Sequence, residues 1–338
     1  MISVKELTKR YGAITAVNGV SFEVSAGEIL GFLGPNGAGK TTTMNILAGY
    51  IAPTSGSCAI DGLDIVERAE EARERVGYLP ENPPLYNDMT VWEYLNFAAE
   101  IKKVDKKSRK RAVEDIMEKV EIADMRGRLN RNLSKGYRQR VGLAQALIAD
   151  PAVIILDEPT VGLDPQQVSN MRGVIRELRE RHTVILSSHI LSEISAMCDR
   201  VLIINRGRVA ANDAAERLSG SLSGGGRRYA ARIRAGRAEA LAALSPLEGA
   251  GLKFEYDGER EGGASDVTII AGEGLQTDPR EAVFGRLAEA GLPLLMLKPL
   301  DVSLEDIFIQ VTARDILEGE AEEPGEAGEN TREGEEAD

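Results

Sequence analysis

The stretch Glu28-Ile29-Leu30-Gly31-Phe32-Leu33-Gly34-Pro35-Asn36-Gly37-Ala38-Gly39-Lys40-Thr41-Thr42 decides the architecture. Its first residues form a short apolar run of strand length, and Lys40 to Gly49 follow a helical pattern. Between them, Gly34 to Thr41 fits the spacing G-x-x-x-x-G-K-[ST]. A strand that turns through glycines into a helix aims successive backbone N–H groups, and the positive end of the helix dipole, at one point, which suits a phosphate. Gly34, Pro35, Asn36, Gly37, Ala38 and Gly39 are therefore the expected cradle. Lys40 is placed to bridge β- and γ-phosphates, Thr41 to offer its hydroxyl to Mg²⁺, and Thr42 to add a phosphate contact in the first helical turn. The motif indicates a nucleotide and leaves open which machine uses it.

Outward from this stretch, short β-branched runs alternate with helical patterns over the first 210 or so residues. Strands are expected at Glu28 to Leu33, Val76 to Leu79, Val153 to Leu156 and Thr183 to Ser187, with Val201 to Ile204 closing the series, and a helix at Gln166 to Arg181. This is an α/β pattern, a mostly parallel sheet with helices on its faces. From Met89 to Ala149 the strand signal gives way to helical periodicity, with Thr90 as N-cap and Pro151 ending the run, so an all-helical insertion is expected. In Val153-Ile154-Ile155-Leu156-Asp157-Glu158-Pro159, four apolar residues run into two carboxylates. The carboxyl ends of parallel strands face the ligand crevice, and Pro159 predicts a turn that keeps both acids near the phosphates. Asp157 is the expected Mg²⁺ ligand, and Glu158 the group that orients and polarises the attacking water.

The segment Leu133-Ser134-Lys135-Gly136-Tyr137-Arg138-Gln139-Arg140 sharpens the reading. Ser134 and the N–H groups around Gly136 make a second helix N-terminus fit for a γ-phosphate. With its Leu-Ser-x-Gly core the chain resembles ABC-transporter ATPases, although Lys135 and Tyr137 depart from the commonest LSGGQ form. The resemblance covers Met1 to about Gly220 and implies a P-loop NTPase of the ABC ATPase type with a helical subdomain at about 87–150. It implies that Ser134 and Gly136 complete the ATP site of a second subunit, so the chain dimerises around two ATP, as a homodimer or with a related ATPase. It also makes Tyr11 the ring stacked on adenine, Asp164 (in Gly162-Leu163-Asp164-Pro165) part of the loop coupling the two sites, and His189, 31 residues after Glu158, the γ-phosphate sensor and with Glu158 a catalytic residue. Glu81, in Gly77-Tyr78-Leu79-Pro80-Glu81, stands where the family generally has glutamine. An ionised Glu only accepts hydrogen bonds, so it strengthens the metal site while weakening γ-phosphate sensing, or else it is a tolerated replacement.

The chain has 338 residues, 43 % apolar, which allows two domains with proper cores and excludes wholesale disorder and a disulfide scaffold. Cys58 and Cys198 suit a reducing cytosol. The start carries no signal-peptide pattern, and no apolar run reaches the roughly 18 residues that span a bilayer. Most of the formal charge of −13 sits in Glu318 to Asp338, which holds ten acidic residues and one arginine. That composition predicts a solvated acidic tail. The basic run Lys102 to Arg111 lacks interleaved aromatics and is expected to be a solvated helix face, so no nucleic acid is expected as a partner. Residues 219–226, rich in Gly and Ser, read as a linker between an ATPase domain (1–218) and a second domain (227–317). The order of strands and helices in the second domain predicts a small α+β, ferredoxin-like unit, with a last helix through Asp306.

Ser303 to Phe308 resembles the closing segment of bacterial ABC ATPases that work with separately encoded permeases, including relatives of gliding-motility and multidrug exporters. That resemblance implies an ATPase subunit bound to an integral-membrane permease in another chain, cytoplasmic and peripheral on the inner face of the cell membrane, serving export. The alternative is a permease-free soluble ABC ATPase acting on ribosomes or DNA. Such proteins generally carry two cassettes, long coiled coils or zinc motifs, and none is in this sequence.

Overall fold

The run Ile29–Leu33 is buried at every position, and a strand apolar on both faces must be covered on both. The computed structural model describes residues 1–214, 227–260, 262–272 and 278–300. It opens with β1 (Ile2–Tyr11) and β2 (Ile14–Val24), then β3 (Ile29–Leu33), α1 (Lys40–Leu47), β4 (Ser55–Ile60), β5 (Leu63–Asp64), α2 (Ala69–Glu74) and β6 (Val76–Leu79). The helical insertion follows as α3 (Val91–Ile101), α4 (Lys106–Lys119) and α5 (Lys135–Leu147). Then come β7 (Val153–Asp157), α6 (Pro165–Leu178), β8 (Thr183–Ser188), α7 (Leu191–Met197), β9 (Arg200–Asn205) and β10 (Arg208–Ala214).

Six of these strands form one sheet in the order β10-β9-β3-β8-β7-β6. All its pairings are parallel except that of β9 with β10. Period-two alternation divides the sheet's residues between two cores. Ile29, Leu33, Ile154, Leu156, Val184 and Leu186 face the helices, including the whole insertion. Leu30, Phe32, Val153, Ile155, Ile185 and Leu202 face α1 and a second, antiparallel sheet ordered β2-β1-β4-β5.

Several expectations are corrected. The strand series does not close at Val201–Ile204. The chain reverses at Arg206 and Gly207, both at positive φ as a tight two-residue hairpin requires, and returns as β10. That strand alternates exposed and half-buried residues, so it carries no apolar run to announce it. Helix α1 stops at Leu47 and α6 runs Pro165–Leu178, each shorter than its sequence pattern. The insertion is helical apart from a bridge between Thr90 and Leu129. The basic run is solvated at Lys103, Lys106, Lys107, Lys110 and Arg111, as expected, but it is not one helix face. It straddles the end of α3 and the start of α4, Lys103 pairs with Glu74 at 2.6 Å, and Arg109 tucks in against Glu100 at 3.0 Å.

Beyond residue 226 the order is β11 (Arg227–Ile233), α8 (Arg237–Leu244), β12 (Leu252–Arg260), β13 (Ala264–Ala271), α9 (Pro279–Glu289) and β14 (Leu294–Leu300). The strands pair antiparallel as β12-β13-β11-β14, the expected ferredoxin-like arrangement, over a core of its own that includes Ile233, Leu244, Ile269, Val283 and Leu287. The 219–226 linker, the helix through Asp306, the Ser303–Phe308 segment and the 318–338 tail lie outside the described residues. No helix among the described residues is long and apolar enough to cross a membrane.

Candidate nucleotide-binding and hydrolysis site

Four parallel strands, β3, β6, β7 and β8, end at the same edge of the main sheet, and their carboxyl ends deliver the chemistry there. After β3 the chain turns through Gly34 to Gly39. A Cβ at Gly34 would lie 2.4 Å from the Ile204 carbonyl, and one at Gly39 (φ 104°) 2.4 Å from the Ala16 carbonyl, so neither position accepts a side chain. The first turn of α1 has no side-chain cap, which leaves its N–H groups for a ligand. Lys40, almost fully buried, donates from Nζ to the carbonyls of Gly34 (2.8 Å) and Pro35 (3.3 Å) and lies 3.6 Å from Glu158 Oε1.

The acids at the end of β7 are organised from β8. Ser187 Oγ donates to Asp157 Oδ1 at 2.6 Å and accepts from the Glu158 N–H at 2.9 Å. The other oxygen, Asp157 Oδ2, is buried without a partner. A buried carboxylate oxygen left in that state is costly, and it matches the hard oxygen donor that Mg²⁺ requires. Burial and the Asp157 charge push the Tyr78 phenol well above its usual range. Glu158 sits at φ 50°, the left-handed region a non-glycine residue avoids, which swings its carboxylate off the strand direction. Its Oε2 meets His189 Nδ1 at 2.9 Å.

These groups open onto a cavity of about 520 Å³ lined by Tyr11, Asn36, Gly37, Gly39, Lys40, Thr41, Thr42, Glu81, Glu158 and His189, with Ala16 and Val161. Tyr11 is half exposed, with Lys9 Nζ 5.3 Å from its ring centre. Glu81 is exposed, and its backbone carbonyl is fixed by Gln139 Nε2 at 3.1 Å. Gly34, Pro35, Ala38 and Asp157 are not among the residues that line it. Ser134, Gly136 and Asp164 are not brought to this cavity. Ser134 caps α5 and Asp164 caps α6, accepting from Gln167 N–H at 2.9 Å. Those two helix starts touch: a Cβ at Gly136 would meet Gln167 Oε1 at 2.3 Å, and one at Gly162 would meet Lys135 Nζ at 2.3 Å.

The ABC transporter family pattern matches residues 17–161. YdbJ of Bacillus subtilis, an ABC transporter ATP-binding protein, is 33 % identical over 322 residues, 95 % of this chain and 98 % of YdbJ. The chain belongs to the ABC transporter ATP-binding proteins. A Nostoc ABC transporter ATP-binding protein is 40 % identical over 211 residues, so the match spans only 62 % of that relative's length. The Nod factor export ATP-binding protein I of Burkholderia orbicola is 34 % identical over 93 % of this chain and 98 % of its own. A solved ATP-binding subunit of an ABC transporter is 29 % identical, with a TM-score of 0.61, over 66 % of this chain and 93 % of that one. As an ABC transporter ATP-binding protein the chain binds and hydrolyses ATP, and these relatives do not favour the permease-free role on ribosomes or DNA.

Sequence reasoning passed over Ser187, which ties the two acids of this ABC ATPase together. Its signal was the serine pair Ser187-Ser188 at the end of a strand whose middle is apolar. Ala16 was also missed, since an alanine in a strand with no motif carries no chemical signal.

Proposed function

We propose that two copies of this ATPase, or one copy and a related chain, close around two ATP molecules and drive a separately encoded membrane permease, most simply an exporter. Tyr11 stacks on adenine, the Gly34–Gly39 turn and the N–H groups of α1 hold the phosphates, and Lys40 leaves the loop carbonyls for the β- and γ-phosphates. Thr41 and Asp157 Oδ2, with Glu81 as a further oxygen donor, are the residues to hold Mg²⁺, which when bound neutralises charge on the phosphates being separated. Glu158 takes a proton from the water that attacks the γ-phosphorus. His189 holds Oε2 of that carboxylate, and Lys40 steadies the negative charge as the bond to ADP breaks.

The observation that carries this reading is the Lys40–Glu158–His189 cluster facing the cavity beside an unpartnered Asp157 oxygen. Ser134, Gly136 and Asp164 lie off that cavity, which fits a role in a second subunit's site. Export rests on the name of the Burkholderia relative and on the Ser303–Phe308 segment. The permease sets the location, peripheral on the inner face of the membrane. The ATPase domain is assigned to 1–218, the linker to 219–226 and the accessory domain to 227–317.

Glu158→Gln tests the core of this proposal. It keeps size and loses the proton acceptor, so hydrolysis should fall on the order of 10² to 10⁴-fold while ATP stays bound. With ATP and Mg²⁺ the variant should elute as a dimer, and adding Ser134→Arg should return it to monomer. Hydrolysis at the parent rate would remove Glu158 from its role. An inert, ATP-loaded monomer would remove the shared site.

A further inference from the structure

Close to the catalytic pair, but not lining the cavity, lies a buried carboxylate that the mechanism above does not use. Glu193, in the first turn of α7, has a side chain only 5 % exposed. A carboxylate removed from water is retained only where groups around it replace hydration. Its Oε2 accepts from the Thr160 hydroxyl in a short contact and from the Ser188 hydroxyl at 3.3 Å, while its Oε1 lies 3.9 Å from the Arg172 guanidinium. The Arg172 contact is long and Arg172 is partly exposed, so the two hydroxyls dominate.

Their positions in the chain give the arrangement its meaning. Thr160 follows Glu158 by two residues, and Ser188 directly precedes His189. Both are buried, and Ser188 Oγ also accepts the Ile190 N–H at 3.0 Å, fixing the turn that presents His189. One carboxylate oxygen thus clamps the loop that carries Glu158 to the loop that carries His189. Glu158 needs such a clamp, because its left-handed backbone persists only when neighbouring contacts hold it.

We propose that Glu193 is a positioning residue for ATP hydrolysis, holding Glu158 and His189 at their 2.9 Å separation through Thr160 and Ser188. This rests on the reading of Glu158 and His189 as the catalytic pair. A clamp of this kind acts on the water-attack step and leaves nucleotide binding, which depends on the Gly34–Thr42 segment, largely untouched.

Steady-state hydrolysis by the full chain, with equilibrium binding of a fluorescent ATP analogue and thermal melting, tests it. Glu193→Ala should lower kcat about 10- to 100-fold, the scale on which a small misplacement of reacting groups acts, while KM and analogue affinity stay within about twofold. Glu193→Gln, which keeps an oxygen acceptor, should recover most of that loss. Thr160→Val removes one of the two hydroxyls with little change in shape, so it reads the clamp even if Glu193→Ala fails to fold. It should lower kcat, and the double variant should be no slower than Glu193→Ala alone, since both act through one contact. Parent-like kcat in Thr160→Val and Glu193→Ala, or KM rising in step with the loss of kcat, would overturn the inference. Glu158→Gln, run alongside, separates the two failures. If it hydrolyses at the parent rate, the catalytic pair is wrong; if it is inert while the Glu193 and Thr160 variants are normal, only the clamp is wrong.

Discussion

Tyr11 and Glu81 both line the cavity, and they are the single side chains proposed to set its response to a nucleotide. Tyr11 lines the cavity with its ring half exposed, so it can offer a face to an adenine. Replacing it with Ala should weaken ATP binding by about 1 kcal/mol, while Phe, which keeps the ring, should be near neutral. Titration calorimetry of both variants checks this, and equal losses would assign the effect to the hydroxyl. Glu81 faces the same cavity as Lys40 and Glu158 with its backbone held by Gln139, so its carboxylate adds negative charge at the proposed γ-phosphate position. Glu81→Gln should therefore raise the ATPase rate of the isolated chain or its response to a permease. Unchanged rates in both settings would make the position a neutral replacement.

Among elements, those with a local signal were legible and those held by distant partners were not. Helix α3 was readable from its start, where Thr90 accepts from the Glu93 N–H at 3.2 Å and Glu93 Oε2 accepts from the Thr90 N–H at 2.8 Å. Thr90→Ala should cost about 1 kcal/mol, seen as a lower urea midpoint at unchanged slope. By contrast the antiparallel sheet that brings Tyr11 and Ala16 to the site was not announced. Strand β1 shifts register against β2 between Val4 and Leu7, again before Lys9 and again before Arg10, and Glu6 sits at φ 48°. Each shift breaks the two-residue period by which a strand is recognised.

At the scale of the whole molecule, the apolar residues sort into separate cores. The first two draw on residues up to Ala211, and the third on residues from Tyr229 to Leu297. Ile269→Ala, which empties a buried position in the third core, should cost about 2 to 5 kcal/mol of that unit's stability. Hydrogen exchange should then quicken across 227–300 and stay unchanged across 1–214; spread into the ATPase portion would show that the cores are coupled. The sequence by itself determined the phosphate loop, the acids closing β7, the helical insertion and the strand order of the second unit. Each is written in one contiguous stretch, where backbone geometry and side-chain period follow from neighbours. Only the tertiary structure decided that Ser187 joins Asp157 to Glu158, that His189 meets Glu158, and that Glu193 reaches Thr160. Those contacts join residues 29, 30, 31 and 33 positions apart. They exist because parallel strands from distant parts of the chain end at one edge of a sheet, a meeting that no local pattern encodes.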